Sequence, residues 1–311
     1  MSRTPIATAE HLVVETTPSV PIVVVTVNYH SAAVLPALAL DLAAQSSRPR
    51  AWLVVDNSPE SAPLARAQLA AAAAPLSVRP IRGGEGEGFA AGCNRALELL
   101  EREHWDGWVW LLNPDTGLPR RDELALLWAR LRQLPQRALV GTAVSDGAGG
   151  FEASGGWITP GLNFRGRQLE ASAATPAAAA EPLCLDWLSG CSLALRPSVH
   201  RPAARFDQRF PLYYEDIDLC LRLGRAGAPV LWLSEPAIVH RKGTGSAAPG
   251  ARRLELSSLS YLRFLRRHCP GWVSALRSLR LLLLSLLRLP LRPRRSLAVL
   301  KAWLTVLGEP F

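Results

Sequence analysis

A chain of 311 residues with 49% hydrophobic content can bury a sizeable core, which excludes disorder as its default state. Its net charge of +9 invites a nucleic-acid reading, but the charge is unevenly spread: residues 1–250 carry 23 Lys and Arg against 24 Asp and Glu, and residues 251–311 carry 12 against 2. The body of the chain is near neutral and its C-terminal part is basic.

Cys93, Cys184, Cys191, Cys220 and Cys269 are odd in number and widely spaced, without a CxxC pair, so neither a zinc finger nor a disulfide framework is expected and a reducing compartment fits best. Residues 1–20 lack a charged start followed by an apolar run, and read as a loose tail rather than a secretory signal or anchor. Pro21 to Asn28 is a β-branched run ending in polar residues, and Leu35 to Gln45 has helical composition. Ala51 to Asn57 repeats the pattern, ending in Asp56 and Asn57 before an Ala-rich helix from Pro63 to Ala74. Leu76 to Ile81 is a third strand, Gly83 to Gly92 a glycine-rich loop, and Asn94 to Glu103 a helix.

Trp108 to Thr116, WVWLLNPDT, organises the rest: an apolar strand stops at Asn113 and Pro114 and delivers Asp115 to a sheet edge. In open α/β sheets, ligands collect beyond such strand ends. A carboxylate held there can bind a hard divalent cation completed by substrate phosphates; the same residues also make ordinary turn chemistry. Four strands separated by helices or loops, with polar carboxyl ends, predict a mostly parallel sheet with one ligand edge. The GxGxG spacing around Gly84, Gly86 and Gly88 follows the third strand rather than the first, which argues against a dinucleotide fold while leaving a loop able to approach phosphates.

The second half begins with a helix from Arg121 to Leu134 and a strand from Leu139 to Val144, then a Gly- and aromatic-rich stretch, Phe151 to Arg167. Ala171 to Ala180 is low-complexity and reads as a surface loop. Leu185 to Leu195 is an apolar strand broken at Ser189-Gly190, and Glu215, Asp216 and Asp218 open a helix that Gly227 ends. Acids in a first turn suit the helix dipole, which would keep Asp216 ionised, but a cap needs one acid and not three. Val230 to Leu233 is a last strand, and Ala237 to Ser246 sets His240 in a loop beside Arg241 and Lys242.

The ordered pieces TVNYH, VVDNS, GFAAGCN, LLNPDT, DWLSGC, FDQRFPLYYEDIDLCLRLGRAG and IVHRKGTGS resemble the inverting family 2 glycosyltransferases, most closely their rhamnosyltransferase branch, over about residues 21 to 246. The resemblance implies a GT-A fold: an α/β architecture with a mostly parallel mixed central sheet, a Rossmann-like nucleotide half (21–118), an acceptor half (119–250) and a basic helical region (251–311). It implies transfer of a sugar, best matched by rhamnose from dTDP-rhamnose, to a hydroxyl of a glycan or lipid-linked acceptor, assisted by Mg²⁺ or Mn²⁺. By motif, Asn28, Asp56, Asn57, Gly88, Asn94, Asn113 and Asp115 would border the donor, with Asp56 on the base and Asp115 on the metal. Trp187, Ser189 and Gly190 would line the sugar and acceptor pocket, Asp216 would be the base with Glu215 beside it, and His240 would close on the metal and diphosphate. Two positions depart from the pattern: Gly86 stands where relatives often carry Asn, and Asn113 where the metal motif has its first acid.

Residues 272–289, WVSALRSLRLLLLSLLRL, are too interrupted to span a bilayer. Arg277, Arg280 and Arg288 fall within about 80° on a helical wheel, beside Ser274, Ser278 and Ser285, and the other face is almost all leucine. An interfacial helix on the inner, cytoplasmic leaflet is expected, with a core helix as the alternative. Nucleic acid is not, because spaced aromatics for stacking are missing. A nucleotidyltransferase would not need the YYED helix, and a non-catalytic binding module would show no nucleotide hydrolysis.

Overall fold

The structure is a computed structural model describing residues 18–59, 69, 73–152, 154–158, 166–170, 182–201, 203–241 and 250–309. The tail up to residue 17, most of the Pro63 to Ala74 helix, the Ala171 to Ala180 loop and Lys242 to Ser246 lie outside the described residues.

In chain order the N-terminal part holds β1 (Ser19–Asn28), α1 (Leu35–Ala43), β2 (Arg48–Asp56), β3 (Val78–Arg82), α2 (Phe89–Arg102), β4 (Trp108–Leu112) and β5 (Thr116–Gly117). The next part holds α3 (Glu123–Leu131), β6 (Leu139–Asp146), β7 (Phe151–Glu152), β8 (Gly155–Ile158), β9 (Gly166–Gln168), β10 (Leu183–Cys184), β11 (Trp187–Leu188), β12 (Ser192–Leu195), α4 (Glu215–Arg225) and β13 (Val230–His240). Three helices close the chain: α5 (Gly250–His268), α6 (Gly271–Arg288) and α7 (Pro293–Leu307).

The main sheet runs β10-β13-β6-β12-β4-β1-β2-β3, with β5 on β13 and β7 on β6; β8, β9 and β11 form a small second sheet. The pairs β1–β2, β1–β4, β2–β3 and β6–β13 are parallel, and β12 runs antiparallel between β4 and β6. β12 thus joins two parallel sets whose carboxyl ends share one edge. Alternate residues of β1, β2 and β4 feed two cores: Val24, Trp52 and Trp110 face α1 and α3, while Val25, Leu53 and Leu111 face α2 and α4. Burial on both faces explains the unbroken apolar runs, each large side chain contributing about 2 kcal/mol on leaving water.

Three elements differ from expectation. α2 starts at Phe89 and not at Asn94, because Gly88 in extended geometry is already its N-cap and the glycine loop ends sooner. Leu185 to Leu195 is two strands in different sheets, split where Ser189 and Gly190 turn. The last strand does not stop at Leu233: a bulge between Leu233 and Ala237 absorbs Pro236, whose missing N–H is tolerated there, and pairing with β6 resumes to the end. His240 is therefore the last residue of a strand, paired with Thr116 and Asp146, and not part of a loop.

Candidate active site

Asn28 and Asp56 end adjacent parallel strands in register. Asn28 Nδ2 donates to Asp56 Oδ1 (2.8 Å), Ser58 N–H donates to the same oxygen (3.1 Å), and Asn28 Oδ1 accepts from Ser31 N–H (3.1 Å). Asp56 is buried, with Arg82 Nη1 3.7 Å from its second oxygen, so the carboxylate is aimed and neutralised before any ligand arrives. Asn57 holds the glycine loop: its Nδ2 donates to the carbonyls of Glu87 (2.7 Å) and Gly88 (3.2 Å). Gly83 and Gly88 cannot carry a Cβ without meeting Asn57 Oδ1 and the Pro211 carbonyl. Glu87 turns back to Gly84 N–H and pairs with Arg95, so this acid beside Gly86 serves the loop's own shape.

Asn94 is buried in α2, and both ends of its amide engage the Phe206 backbone: Nδ2 donates to the carbonyl and Oδ1 accepts the N–H, each at 2.9 Å. It fastens the segment leading to α4 onto α2.

After β4 the chain turns: Asn113 N–H donates to the Cys191 carbonyl (3.2 Å), and the Asn113 carbonyl accepts from Thr116 N–H and its hydroxyl. Asp115, its side chain 14% exposed, stands 3.3 Å from His240 Nε2. Glu152, carried on β7, meets the other ring nitrogen, Nδ1, at 3.1 Å. The hydrogen bond to Asp115, and then that to Cys191, holds the imidazole pKa up to about 11. Nothing in the sequence marked Glu152, a single acid in a two-residue strand.

On the other side of the Ser189-Gly190 turn stands Asp216. Gly190 N–H donates to Asp216 Oδ2 (2.7 Å) and Ile217 N–H to Oδ1 (2.8 Å). A Cβ on Gly190 would press on the Phe89 ring at 3.0 Å, so glycine permits the approach. One short segment thus joins the two acids: Gly190 donates to Asp216, and Cys191 accepts from the turn that carries Asp115.

Glu215 is buried and its Oε2 has no hydrogen-bond partner. Burial, and then the charge of Asp216, pushes its pKa up to about 8. Burial also raises Asp216, opposed by the Gly190 and Ile217 amides, so the helix dipole is not the main influence. Of the two, Glu215 takes the proton first, because nothing donates to its orphaned oxygen, and Asp216 keeps the charge. Trp187, on the adjacent strand β11, also has a buried unpartnered Nε1. Asp218 faces the other way, into Arg222 (2.7 Å) and His268 (2.8 Å).

The turn before α4 is strained: Tyr213 (φ 64°) and Tyr214 (φ 69°) are both left-handed, and such strain persists where the surroundings hold it. Tyr214 packs on Tyr261 and Phe264 of α5, and Arg253 bonds the Tyr213 hydroxyl.

Among the described residues no group of three or more His, Cys, Asp or Glu has the arrangement of a metal site. Asp115 and His240, the two residues expected at the metal, are brought together by the fold as a pair 3.3 Å apart.

Residues 22–178 match the model of Glycosyl transferase family 2. Two Mycobacterium tuberculosis proteins, from strains CDC 1551 / Oshkosh and ATCC 25618 / H37Rv, are each 28% identical over 280 residues, spanning 80% of this chain and 85% of theirs. Both are named N-acetylglucosaminyl-diphospho-decaprenol L-rhamnosyltransferase. Among solved structures, S. aureus TarS 1-349 in complex with UDP-GlcNAc superposes with a TM-score of 0.50 at 14% identity, over 81% of this chain and 69% of that one. GalNAc-T7 with UDP, GalNAc and Mn²⁺ gives 0.50 at 13% over 80% of this chain, which spans about half (51%) of that protein. These identities speak to the fold alone, which is the GT-A fold. The two strand-end acids on one sheet edge and a family match over half the chain lead to one assignment: this chain belongs to glycosyl transferase family 2, enzymes that transfer a sugar from a nucleotide-sugar donor.

Proposed function

We propose that the enzyme transfers rhamnose, with inversion, from dTDP-rhamnose to a hydroxyl of a lipid-diphosphate-linked glycan at the cytoplasmic face of a membrane, in cell-surface polysaccharide synthesis. The observation that carries this reading is Asp216, held by Gly190 N–H at 2.7 Å on a segment that also braces Asp115. The rhamnosyl and lipid-linked elements follow from the names of the M. tuberculosis relatives.

Asn28, Asp56, Asn57, Gly88 and Asn113 form the donor side, Asp56 accepting a hydrogen bond from the base. Asn94 acts there through the loop it fastens. Trp187, Ser189 and Gly190 face the sugar, and Asp216 takes the proton of the attacking hydroxyl. Asp115 and His240 would hold Mg²⁺ or Mn²⁺, with Glu152 orienting the ring through Nδ1. A cation bound there neutralises charge developing on the leaving diphosphate. Asp115 fits a hard ion that takes its remaining ligands from phosphate and water, and His240, held protonated beside Asp115 and Cys191, would give up its Nε2 proton on joining it. Residues 21–118 serve the nucleotide, 119–250 the acceptor and 251–311 the membrane.

Among the described residues no helix is long and apolar enough to cross a membrane. α6 is turned inside out: Ser274 and Ser285 are buried and Arg277 Nη1 reaches the Tyr261 hydroxyl (3.1 Å), while Trp272, Leu276, Leu279, Leu283 and Leu287 are exposed. Arg280 and Arg288 on the same helix, and Arg292, Arg294 and Arg295 at the start of α7, are exposed. An apolar face with a basic border fits an anionic bilayer surface.

Purified protein incubated with a panel of nucleotide sugars and a lipid-diphosphate-linked N-acetylglucosamine should consume dTDP-rhamnose and give a product of inverted anomeric configuration by NMR. Transfer from none of the panel, or retained configuration, would sink the reading.

A further inference from the structure

The three C-terminal helices enclose a second feature: a groove of about 610 Å³ between α5, α6 and α7. Its walls are mostly apolar, with Leu262 from α5, Leu279 from α6, and Trp303, Val306 and Leu307 from α7, and Arg266 of α5 lines it while donating to the Val306 carbonyl. The space exists because α6 lines it with the small side chains of Ser274, Ala275 and Ser278, while Leu276, Leu283 and Leu287 point outward. Leaving such a volume unfilled costs packing, and leucines on the inner face would have closed it.

We propose that this groove holds the hydrocarbon chain of the lipid-linked acceptor, an isoprenoid or similar long alkyl chain. The proposal rests on the reading of a lipid-diphosphate acceptor above. Continuity argues for that occupant first: Leu279 belongs both to the groove and to the exposed leucine face, so a chain can enter sideways from a bilayer. Charge complementarity argues second. Arg277 lies between Ser274 and Ser278 in sequence and reaches Tyr261, whose ring packs on Tyr214 at 5.9 Å, two residues before Asp216. The order of features is apolar groove, guanidinium, acid, and a lipid-linked acceptor presents chain, diphosphate and sugar hydroxyl in that same order. The groove's size is that of a ligand pocket.

The test uses the full chain and geranylgeranyl diphosphate as probe, measured by calorimetry, with Ala275→Trp and Ser278→Phe each filling the groove from α6. Wild-type protein should bind the probe, and each variant should bind it about tenfold more weakly, the equivalent of two methylene groups returned to water. Binding of dTDP and of phosphatidylglycerol vesicles should not change. No binding of the probe by wild-type protein, or equal binding by both folded variants, would overturn the proposal. So would a parallel loss of vesicle binding, which would make the occupant a bilayer lipid. Failure of the acceptor reading would look different: the probe binds and the variants weaken it, but no lipid-linked glycan is glycosylated.

Discussion

Glu215 and Asp216 are neighbours in the chain with opposite chemistry, and hydrogen bonds make the difference. Two backbone amides fix Asp216 as an acceptor, whereas Glu215 is buried with an orphaned oxygen. Asp216→Asn keeps the shape and removes the basicity, so transfer should fall roughly 10²-fold or more while donor affinity, read by calorimetry, stays close to wild type. Glu215→Gln should cost less activity and leave a signature in stability. The folded carboxyl titrates near 8 against 4.5 in an open chain, so the folded state holds a proton that the unfolded state has released between those values. Its contribution is therefore greatest below pH 4.5 and is lost as pH rises toward 8. Melting temperatures across that range should fall less steeply in Glu215→Gln, and an unchanged slope would contradict the assignment.

At the scale of elements, α5 braces the turn before α4 although it lies beyond the matched family segment. It supplies the aromatic floor under Tyr214, and its C-terminal turn meets α4 through Asp218, which is fully buried. Burial would raise that carboxyl, but the His268 hydrogen bond and the Arg222 charge overcome it and hold the pKa low. Removing Asp218 leaves Arg222 and Arg267 without their counter-charge and His268 Nε2 without its partner. Asp218→Ala should destabilise the fold by about 3 kcal/mol, visible in denaturant unfolding, and should loosen the Tyr213–Tyr214 turn. If unfolding midpoints match wild type, α5 is not a brace.

For the molecule as a whole, charge and apolar exposure are separated. Residues 251–311, with 12 Lys and Arg against 2 Asp and Glu, carry more than the whole chain's net charge of +9, and the exposed leucines of α6 lie within them. Leu283 and Leu287 are 49% and 74% exposed, so Leu283→Asp with Leu287→Asp should leave thermal stability unchanged. Sedimentation with anionic vesicles should drop in that double variant. Salt should weaken the wild-type interaction, since screening acts over about 10 Å at 0.1 M, though the apolar part should persist. Equal binding to neutral vesicles would remove the arginines from the account.

The sequence by itself determined the strands and their polar ends. A buried parallel strand must be apolar on both faces, and Asn28, Asp56 and Asp115 are legible because each interrupts such a run. It also carried the ordered motifs through which Asp216 and the family could be read. What it left open depended on contacts far apart in the chain. Glu152 is a lone acid until β7 folds back on β6 and meets His240. Pro236 reads as a strand end until β6 supplies a partner across the bulge, which is why His240 was expected in a loop. Asn94 reads as the first residue of its helix because glycine spacing does not show that α2 already begins at Phe89. The direction α6 faces was beyond any helical wheel: a wheel shows two faces, but only packing on α5 and α7 decides that the serines go inward and the leucines stay outside.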